Sequence, residues 1–181
     1  NESSEIIRMF NSAFEKIGAK EYDFYPKPFR DEIDSINARV YATLNNGVYK
    51  SGFATTQAAY EDSVVPLFDT LDWLEKILSK RRYLTGTQIT EADWRLFTSL
   101  VRFDPIYFGH FKCNIRRIAD YPHLSNYVRD LYQCPGVAST VHMGHIKDHY
   151  YASHTSINPT AIVPLGPNHD LDAPHNRADF N

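Results

Sequence analysis

The chain has 181 residues and a formal net charge of -3; 43% of its residues are hydrophobic and 14% are aromatic. This composition supports one sizeable core, and the interspersed acids and bases exclude the basic surface that nucleic-acid binding requires. No apolar run approaches the roughly 20 residues of a membrane-spanning helix, and the N-terminus has no basic segment leading into an apolar signal core. We therefore predict a cytoplasmic protein with neither a nucleic-acid nor a membrane partner.

The first predicted helix carries an apolar face at helical spacing. Ser3 or Ser4 can cap this helix, and Gly18 should end it. The residues of the face are Ile6, Ile7, Phe10, Phe14 and Ile17.

A second helix is predicted from about Arg30 to Leu44, and the run Asn45-Asn46-Gly47 after it tolerates positive φ and should end it. Tyr49 would then lie just past a helix end, in a loop kinked by Gly52. A phenol held there by rigid structure could move a proton, and Tyr49 is our lead catalytic candidate. The alternative is that the Tyr49 ring packs and its hydroxyl forms an ordinary hydrogen bond.

The middle of the chain predicts two further helices. One runs from about Thr56 to Ser79 with Pro66 inside it, where a bend or a break is expected. The other begins with a capping box, in which Thr90 is the cap and Asp93 can reach back to its amide, and Ile89 and Trp94 flank the box as a hydrophobic staple.

The last third predicts helices at about residues 124–132 and 136–151, with Pro135 just before the second. Four prolines between residues 155 and 181 and weak periodicity predict an extended tail. No strand alternation of any length and no internal repeat is present, so the predicted fold is all-α. Cys113 and Cys134 share no CxxC spacing and are expected to be free thiols.

Four stretches resemble a known family. They are NNGVYKSGFA from Asn45, YLTGTQITEADWRLF from Tyr83, VRFDPIYFGHFKCN from Val101 and INPTAIVPLGP from Ile157. Together with the capping box, they are similar to the C-terminal helical domain of glutathionyl-hydroquinone reductases, the Xi-class or Omega-like glutathione transferases. The resemblance implies a transferase-type helical bundle over residues 1–154 and a tail over residues 155–181.

In that family a thioredoxin-like domain precedes the helical one and supplies the nucleophilic cysteine. By this resemblance residues 1–4 are the end of a thioredoxin-like domain that is otherwise absent from the chain. Glu2 and Ser3 are similar to the residues that hold the γ-glutamyl end of glutathione, the co-substrate. Read without the family, the same residues are only a helix cap.

The resemblance also implies a reaction and the residues that perform it. The family reduces glutathionyl-hydroquinones to hydroquinones through a mixed disulfide between glutathione and the enzyme cysteine. Tyr49 would donate the proton, and Tyr107 and Tyr150 would line the site and lower the pKa of the distant thiol. Tyr107 could equally be a core residue. The isolated chain should be inactive, and the full-length enzyme should be a homodimer.

Two alternatives were weighed. The first is a metal site, because His142, His145 and His149 share one helical face. No acidic residue joins them in a motif such as HExxH, so we predict no metal and assign these histidines no role. The arginines, Arg102 among them, form no phosphate cradle and are expected to be solvated or ion-paired. The second alternative is a non-enzymatic, transferase-like interaction module, which predicts that polar groups have been lost from the substrate cleft.

Overall fold

A computed structural model describes residues 3–18 and 22–180. Within these residues the chain forms α-helices and short 3₁₀ and π turns, with one isolated bridge between Tyr83 and Gly86 and no strand. The prediction of an all-α fold is confirmed. The α-helices are α1 (Ser3–Phe10), α2 (Arg30–Val40), α3 (Gly47–Gly52), α4 (Gln57–Leu78), α5 (Glu91–Arg102), α6 (Pro122–Tyr132) and α7 (Met143–Ser153).

Helix α4 lies at the centre of the fold and packs against α3 and α6, while α2 packs against α5. Thr56 caps α4, since its side chain accepts from the amide of Ala59. The apolar positions of the predicted face are buried, as expected from their spacing. They are Val64, Leu67, Phe68, Leu71, Leu74 and Leu78. Pro66 lies inside this continuous helix.

The capping box at the start of α5 is present as predicted. The amide of Thr90 donates to the carboxylate of Asp93 at 2.8 Å, and Ile89 and Trp94 pack half-buried against the core. This cap fixes the direction of α5, whose residues form one wall of the cavity described below.

The predicted helix end at Asn45-Asn46-Gly47 is wrong. Asn46 has φ of -85°, and the chain continues through a π turn (Tyr41–Asn45) directly into α3. The side-chain amide of Asn45 donates to Ser99 Oγ at 2.7 Å, so its polarity serves a tertiary contact with α5 instead of a helix cap. Tyr49 therefore lies inside a helix and not in a loop.

Gly52, the last residue of α3, is required by close packing. A Cβ at this position would lie 2.1 Å from Cδ1 of Phe111, far inside van der Waals contact. The glycine thus lets α3 approach the aromatic ring that also supports Tyr49.

Two other predicted boundaries are wrong. The first helix ends at Phe10, because the side chain of Asn11 bonds to Asp23 and to the amide of Phe24, and its predicted apolar face is exposed among the described residues. The last helix begins at Met143 and not near Gly136, which has φ of +88°. Ser139 and Thr140 hydroxyls bond to carbonyls three residues earlier and hold a 3₁₀ turn there.

Beyond α7, residues 154–180 contain one 3₁₀ turn (Arg177–Asp179). The buried guanidinium of Arg177 donates to the carbonyls of Leu78 at 2.9 Å and Arg82 at 2.8 Å, and also to that of Arg81. These bonds fasten the segment to the C-terminal end of α4, where helical carbonyls lack partners. Among the described residues, no helix is long and apolar enough to cross a membrane.

Candidate active site

Three tyrosines from distant parts of the sequence meet at one point. Tyr49 lies on α3, Tyr107 ends a π turn (Phe103–Tyr107) after α5, and Tyr150 lies on α7. The hydroxyl of Tyr150 is 2.6 Å from that of Tyr49 and 3.0 Å from that of Tyr107. We call these three residues the phenol cluster. The structure brings together all three tyrosines of the predicted site.

The members of the phenol cluster differ in their access to solvent. Tyr107 is 2% exposed and Tyr150 is 6% exposed, whereas Tyr49 is 41% exposed. Burial raises the pKa of Tyr150 to about 12, with the hydrogen bond to Tyr49 adding to the rise and the Arg102 guanidinium opposing it. Burial and the neighbouring phenols raise the pKa of Tyr107 further. The two inner phenols therefore keep their protons at neutral pH, and Tyr49 is the member that reaches solvent.

The phenol cluster faces a cavity of about 840 Å³, which we call the phenol cavity. This volume lies within the range of small-molecule sites. Besides the cluster, its wall contains Ser3, Ile7, Tyr41, Asn45, Asn46, Trp94, Arg95, Thr98, Ser99, Arg102, Thr140, His142, His145, Ile146 and His149. Among these residues there are two arginines, three histidines and no carboxylate, so the cavity favours an anionic or polar aromatic ligand.

Ser3, a predicted glutathione-binding residue, lies in the wall of the phenol cavity at the start of α1. Glu2, its predicted partner, lies outside the described residues. The N-terminal end of α1 is thus directed towards the same space as Tyr49, although the two are far apart in sequence.

Three histidines line the phenol cavity: His142 immediately before α7, and His145 and His149 within it. The rings of His142 and His145 lie 5.4 Å apart. In the part of the chain that the structure describes, no three or more His, Cys, Asp or Glu side chains are grouped to hold a metal ion. A different pair is formed behind Tyr150, where His110 Nε2 lies 3.1 Å from His154 Nδ1. Burial lowers the pKa of His110 to about 4, so this imidazole stays neutral.

Neither cysteine has the character of a nucleophile. Cys113 is fully buried, and burial raises the pKa of its thiol to about 12. Burial and the nearby Asp130 also raise the pKa of the half-buried Cys134. A thiol with a raised pKa carries little thiolate at neutral pH and reacts slowly.

Sequence reasoning missed several residues of the cavity wall. Asn45 was interpreted as a helix-stop residue, and Thr98 and Ser99 on α5 were not singled out. Arg102 was interpreted only as a solvated or ion-paired residue; it lies in the cavity wall and donates to the Thr98 carbonyl at 2.6 Å. The periodicity of α5 could have indicated Thr98 and Arg102, because they are on the polar side of a helix whose other side is buried.

Residues 57–130 match the family model described as glutathione S-transferase, C-terminal domain. This segment contains α4, α5 and most of α6, which form the core beneath the phenol cluster. By this match and by its all-helical fold, the chain is similar to the C-terminal helical domain of glutathione S-transferases.

Two curated relatives are similar over nearly the whole of this chain, and both are glutathionyl-hydroquinone reductases. The chain is 65% identical over 167 residues to glutathionyl-hydroquinone reductase PcpF of Sphingobium chlorophenolicum. This alignment covers 92% of this chain and 53% of that protein. It is 56% identical over 177 residues to glutathionyl-hydroquinone reductase YqjG of Escherichia coli. This alignment covers 98% of this chain and 54% of that protein. The chain spans about half the length of these curated relatives.

Solved structures show the same similarity. The glutathione-bound structure of YqjG superposes with a TM-score of 0.96 at 56% identity, covering 98% of this chain and 58% of that chain. A Xi-class transferase from Natrialba magadii also superposes with a TM-score of 0.96 at 45% identity, and the superposition covers 99% of this chain and 55% of that chain. The similarity in sequence and in structure is thus to glutathionyl-hydroquinone reductases and Xi-class transferases.

Proposed function

We propose that this chain is the electrophile-binding helical half of an enzyme that uses glutathione to reduce glutathionyl-hydroquinones to hydroquinones. The observation that carries the proposal is the phenol cluster, in which the partly exposed Tyr49 is hydrogen-bonded to the buried Tyr150, and Tyr150 to the buried Tyr107, in the wall of a ligand-sized cavity. The similarity to two glutathionyl-hydroquinone reductases supports the same reaction.

The reaction needs a proton at a ring carbon. An enzyme thiolate attacks the sulfur of the conjugate, the bond between sulfur and the ring carbon breaks, and its electron pair goes to the ring. Tyr49 delivers its hydroxyl proton to that carbon, so the product leaves as a hydroquinone. A second glutathione thiolate then attacks the mixed disulfide and releases oxidised glutathione, which accounts for the two electrons gained by the substrate.

The inner phenols support the Tyr49 phenolate that this step creates. Tyr150 stays protonated and can donate to Tyr49 across 2.6 Å, and Tyr107 can donate to Tyr150 across 3.0 Å. Charge-assisted hydrogen bonds of this kind are stronger than neutral ones. Before the proton transfer, while Tyr49 still holds its own proton, Tyr150 and Tyr107 could instead donate to the attacking thiolate and lower the pKa of its thiol.

Glutathione would be placed by the N-terminal end of α1. Ser3 lies in the cavity wall, and helix N-terminal amides favour a carboxylate. Glu2 would accept from the ammonium group of the γ-glutamyl end. A solved structure of YqjG is bound to glutathione, which supports glutathione as the co-substrate.

We further propose that the reacting thiol comes from the part of the enzyme outside the stretch matched by this chain, since Cys113 and Cys134 are poor nucleophiles. The isolated chain should then bind little glutathione and turn over no conjugate. Isothermal calorimetry with glutathione tests this, and tight binding would contradict it. Cytoplasmic location and a homodimer remain predictions, the latter open to sedimentation measurements on the whole enzyme.

The deciding experiment replaces Tyr49 by Phe in the whole enzyme. Turnover of a glutathionyl-hydroquinone should fall by roughly 10²- to 10⁴-fold, the contribution expected of a positioned proton donor. Tyr41→Phe is the matched control, because Tyr41 is 43% exposed and lines the same cavity but has no hydrogen bond to the cluster among the described residues. Equal activities of the two variants would remove Tyr49 from the mechanism.

A further inference from the structure

A second cavity of about 510 Å³ lies between α5 and the segment that leads into α7. We call it the annex. Its wall consists of Trp94, Phe97, Thr98, Val101, Arg102, Pro135, Gly136, Val137, Thr140, Val141 and Ile146. Most of these side chains are apolar, and Arg102 is the only charged one among the described residues in the wall. An apolar hollow with few polar groups is typical of a small-molecule site.

The annex and the phenol cavity share part of their walls. The residues common to both are Trp94, Thr98, Arg102, Thr140 and Ile146. Of these two cavities, Phe97 and Val101 of α5 line the annex and not the phenol cavity, whereas Arg95 and Ser99 line the phenol cavity and not the annex. Because successive residues of a helix turn around its axis, the two cavities lie side by side on neighbouring faces of α5.

Arg102 lies on the boundary between the two cavities. In the described part of the chain its guanidinium has no carboxylate partner, and it donates to the Thr98 carbonyl. It is close enough to Tyr150 to act on the charge of that phenol. A ring oxygen of a bound hydroquinone could thus meet Arg102 while the rest of the molecule extends to either side.

We propose that the annex binds an aliphatic side chain on the ring of the electrophile, so that this site selects glutathionyl conjugates of alkylhydroquinones over those of plain hydroquinone. The proposal rests on the proposed function. The occupant follows from continuity with the phenol cavity: a chain attached to a ring beside Tyr49 enters the annex past Arg102 and replaces water against valine, isoleucine and tryptophan side chains.

The first test measures binding to this chain without turnover. The chain has two tryptophans, and Trp73→Phe leaves Trp94, in the annex wall, as its only tryptophan. Hexylhydroquinone should change the Trp94 fluorescence saturably, at concentrations at least tenfold lower than plain hydroquinone. Val141→Phe should abolish this change by filling the annex. Val65→Phe, on an exposed position of α4, is the matched control and should leave it intact.

The second test compares substrates in the whole enzyme. The ratio of kcat/KM for the conjugate of hexylhydroquinone to that for plain hydroquinone should exceed ten, and Val141→Phe should bring it close to one. Val65→Phe should keep the ratio of the parent enzyme.

The outcomes separate the two proposals. Saturable binding that Val141→Phe removes, in an enzyme that turns over neither conjugate, would support the annex and refute the proposed function. Turnover of both conjugates with equal kcat/KM, and no saturable change of Trp94 fluorescence, would refute the annex and leave the proposed function standing. Binding that Val141→Phe leaves unchanged would also refute the annex.

Discussion

Two hydrogen-bonded networks that contain tyrosine differ in their exposure to solvent: one is buried throughout, and the other has one partly exposed member. Tyr127 on α6 is fully buried, and its hydroxyl donates at 2.8 Å to Asp93, which also accepts from the amides of Leu84 and Thr90. We call this group the Asp93 cluster. The phenol cluster instead ends at Tyr49, which is 41% exposed to a cavity. The Asp93 cluster uses its phenol to satisfy a buried carboxylate, whereas the phenol cluster has one partly exposed member in the wall of a cavity.

The difference teaches how to distinguish a structural tyrosine from a reactive one. A buried donor and acceptor that satisfy each other stabilise the fold, and losing one partner costs free energy of unfolding. A network with an exposed end contributes less to stability, since water can replace the lost partner there. Substitutions in the Asp93 cluster should therefore change stability, and substitutions at Tyr49 should change activity.

The largest effect on stability is expected for Asp93→Ala. It would leave the Leu84 and Thr90 amides and the Tyr127 hydroxyl buried without their acceptor. At about 1–3 kcal/mol for each such group, the free energy of unfolding should fall by roughly 4 kcal/mol or more. Chemical denaturation measures this, with Asp62→Ala on the exposed side of α4 as the control. A loss below about 1 kcal/mol would contradict the structural role of the cluster.

A smaller effect is expected for Tyr127→Phe, which removes one donor from the buried Asp93 carboxylate. The free energy of unfolding should fall by about 1–3 kcal/mol. Tyr49→Phe, the same chemical change at the exposed end of the phenol cluster, should alter it by no more than about 0.5 kcal/mol. Equal losses in the two variants, measured under the same denaturant conditions, would break the comparison between the two clusters.

The smallest effect concerns His110, behind the phenol cluster. Its pKa is about 4 in the folded protein, below its ordinary value of 6.5, so the unfolded chain binds a proton more readily between these pH values. Above pH 6.5 the imidazole is neutral in both states and costs the folded protein nothing. As the pH falls from 6.5 towards 4, only the unfolded chain gains the proton, so the free energy of unfolding decreases. His110→Gln should lessen that loss by about 1 kcal/mol between pH 7 and pH 5.5. Identical pH dependence of unfolding in the two proteins would show that His110 titrates normally.

Local signals in the sequence predicted the parts of the fold that local physics determines. The apolar spacing of α4 and the capping box at Thr90 are satisfied within one or two helical turns, and both are present. The predicted end of the second helix and the predicted start of the last helix were wrong because tertiary contacts and local turns decide them. Asn45 bonds to Ser99 on another helix, and hydroxyl groups beside Gly136 hold a turn where Pro135 suggested a helix start.

The candidate site was predicted in part. Tyr49 was singled out because it follows a predicted helix end, and that reason is wrong. Tyr107 and Tyr150 were named from the resemblance to a family, and the structure places all three tyrosines together. Periodicity could not predict this, because π turns after α2 and α5 rotate the chain before Tyr49 and Tyr107. The annex and the buried Arg177 had no signal at all, since each depends on segments that meet only in three dimensions.

The central claim is that the exposed phenol of Tyr49 gives up a proton during turnover. The most direct test replaces Tyr49 in the whole enzyme by 2,3-difluorotyrosine, which has nearly the same shape and a more acidic hydroxyl. If Tyr49 must be protonated to act, the alkaline limb of kcat/KM against pH should move to lower pH by the difference in acidity. An active enzyme whose alkaline limb stays in place would contradict the claim.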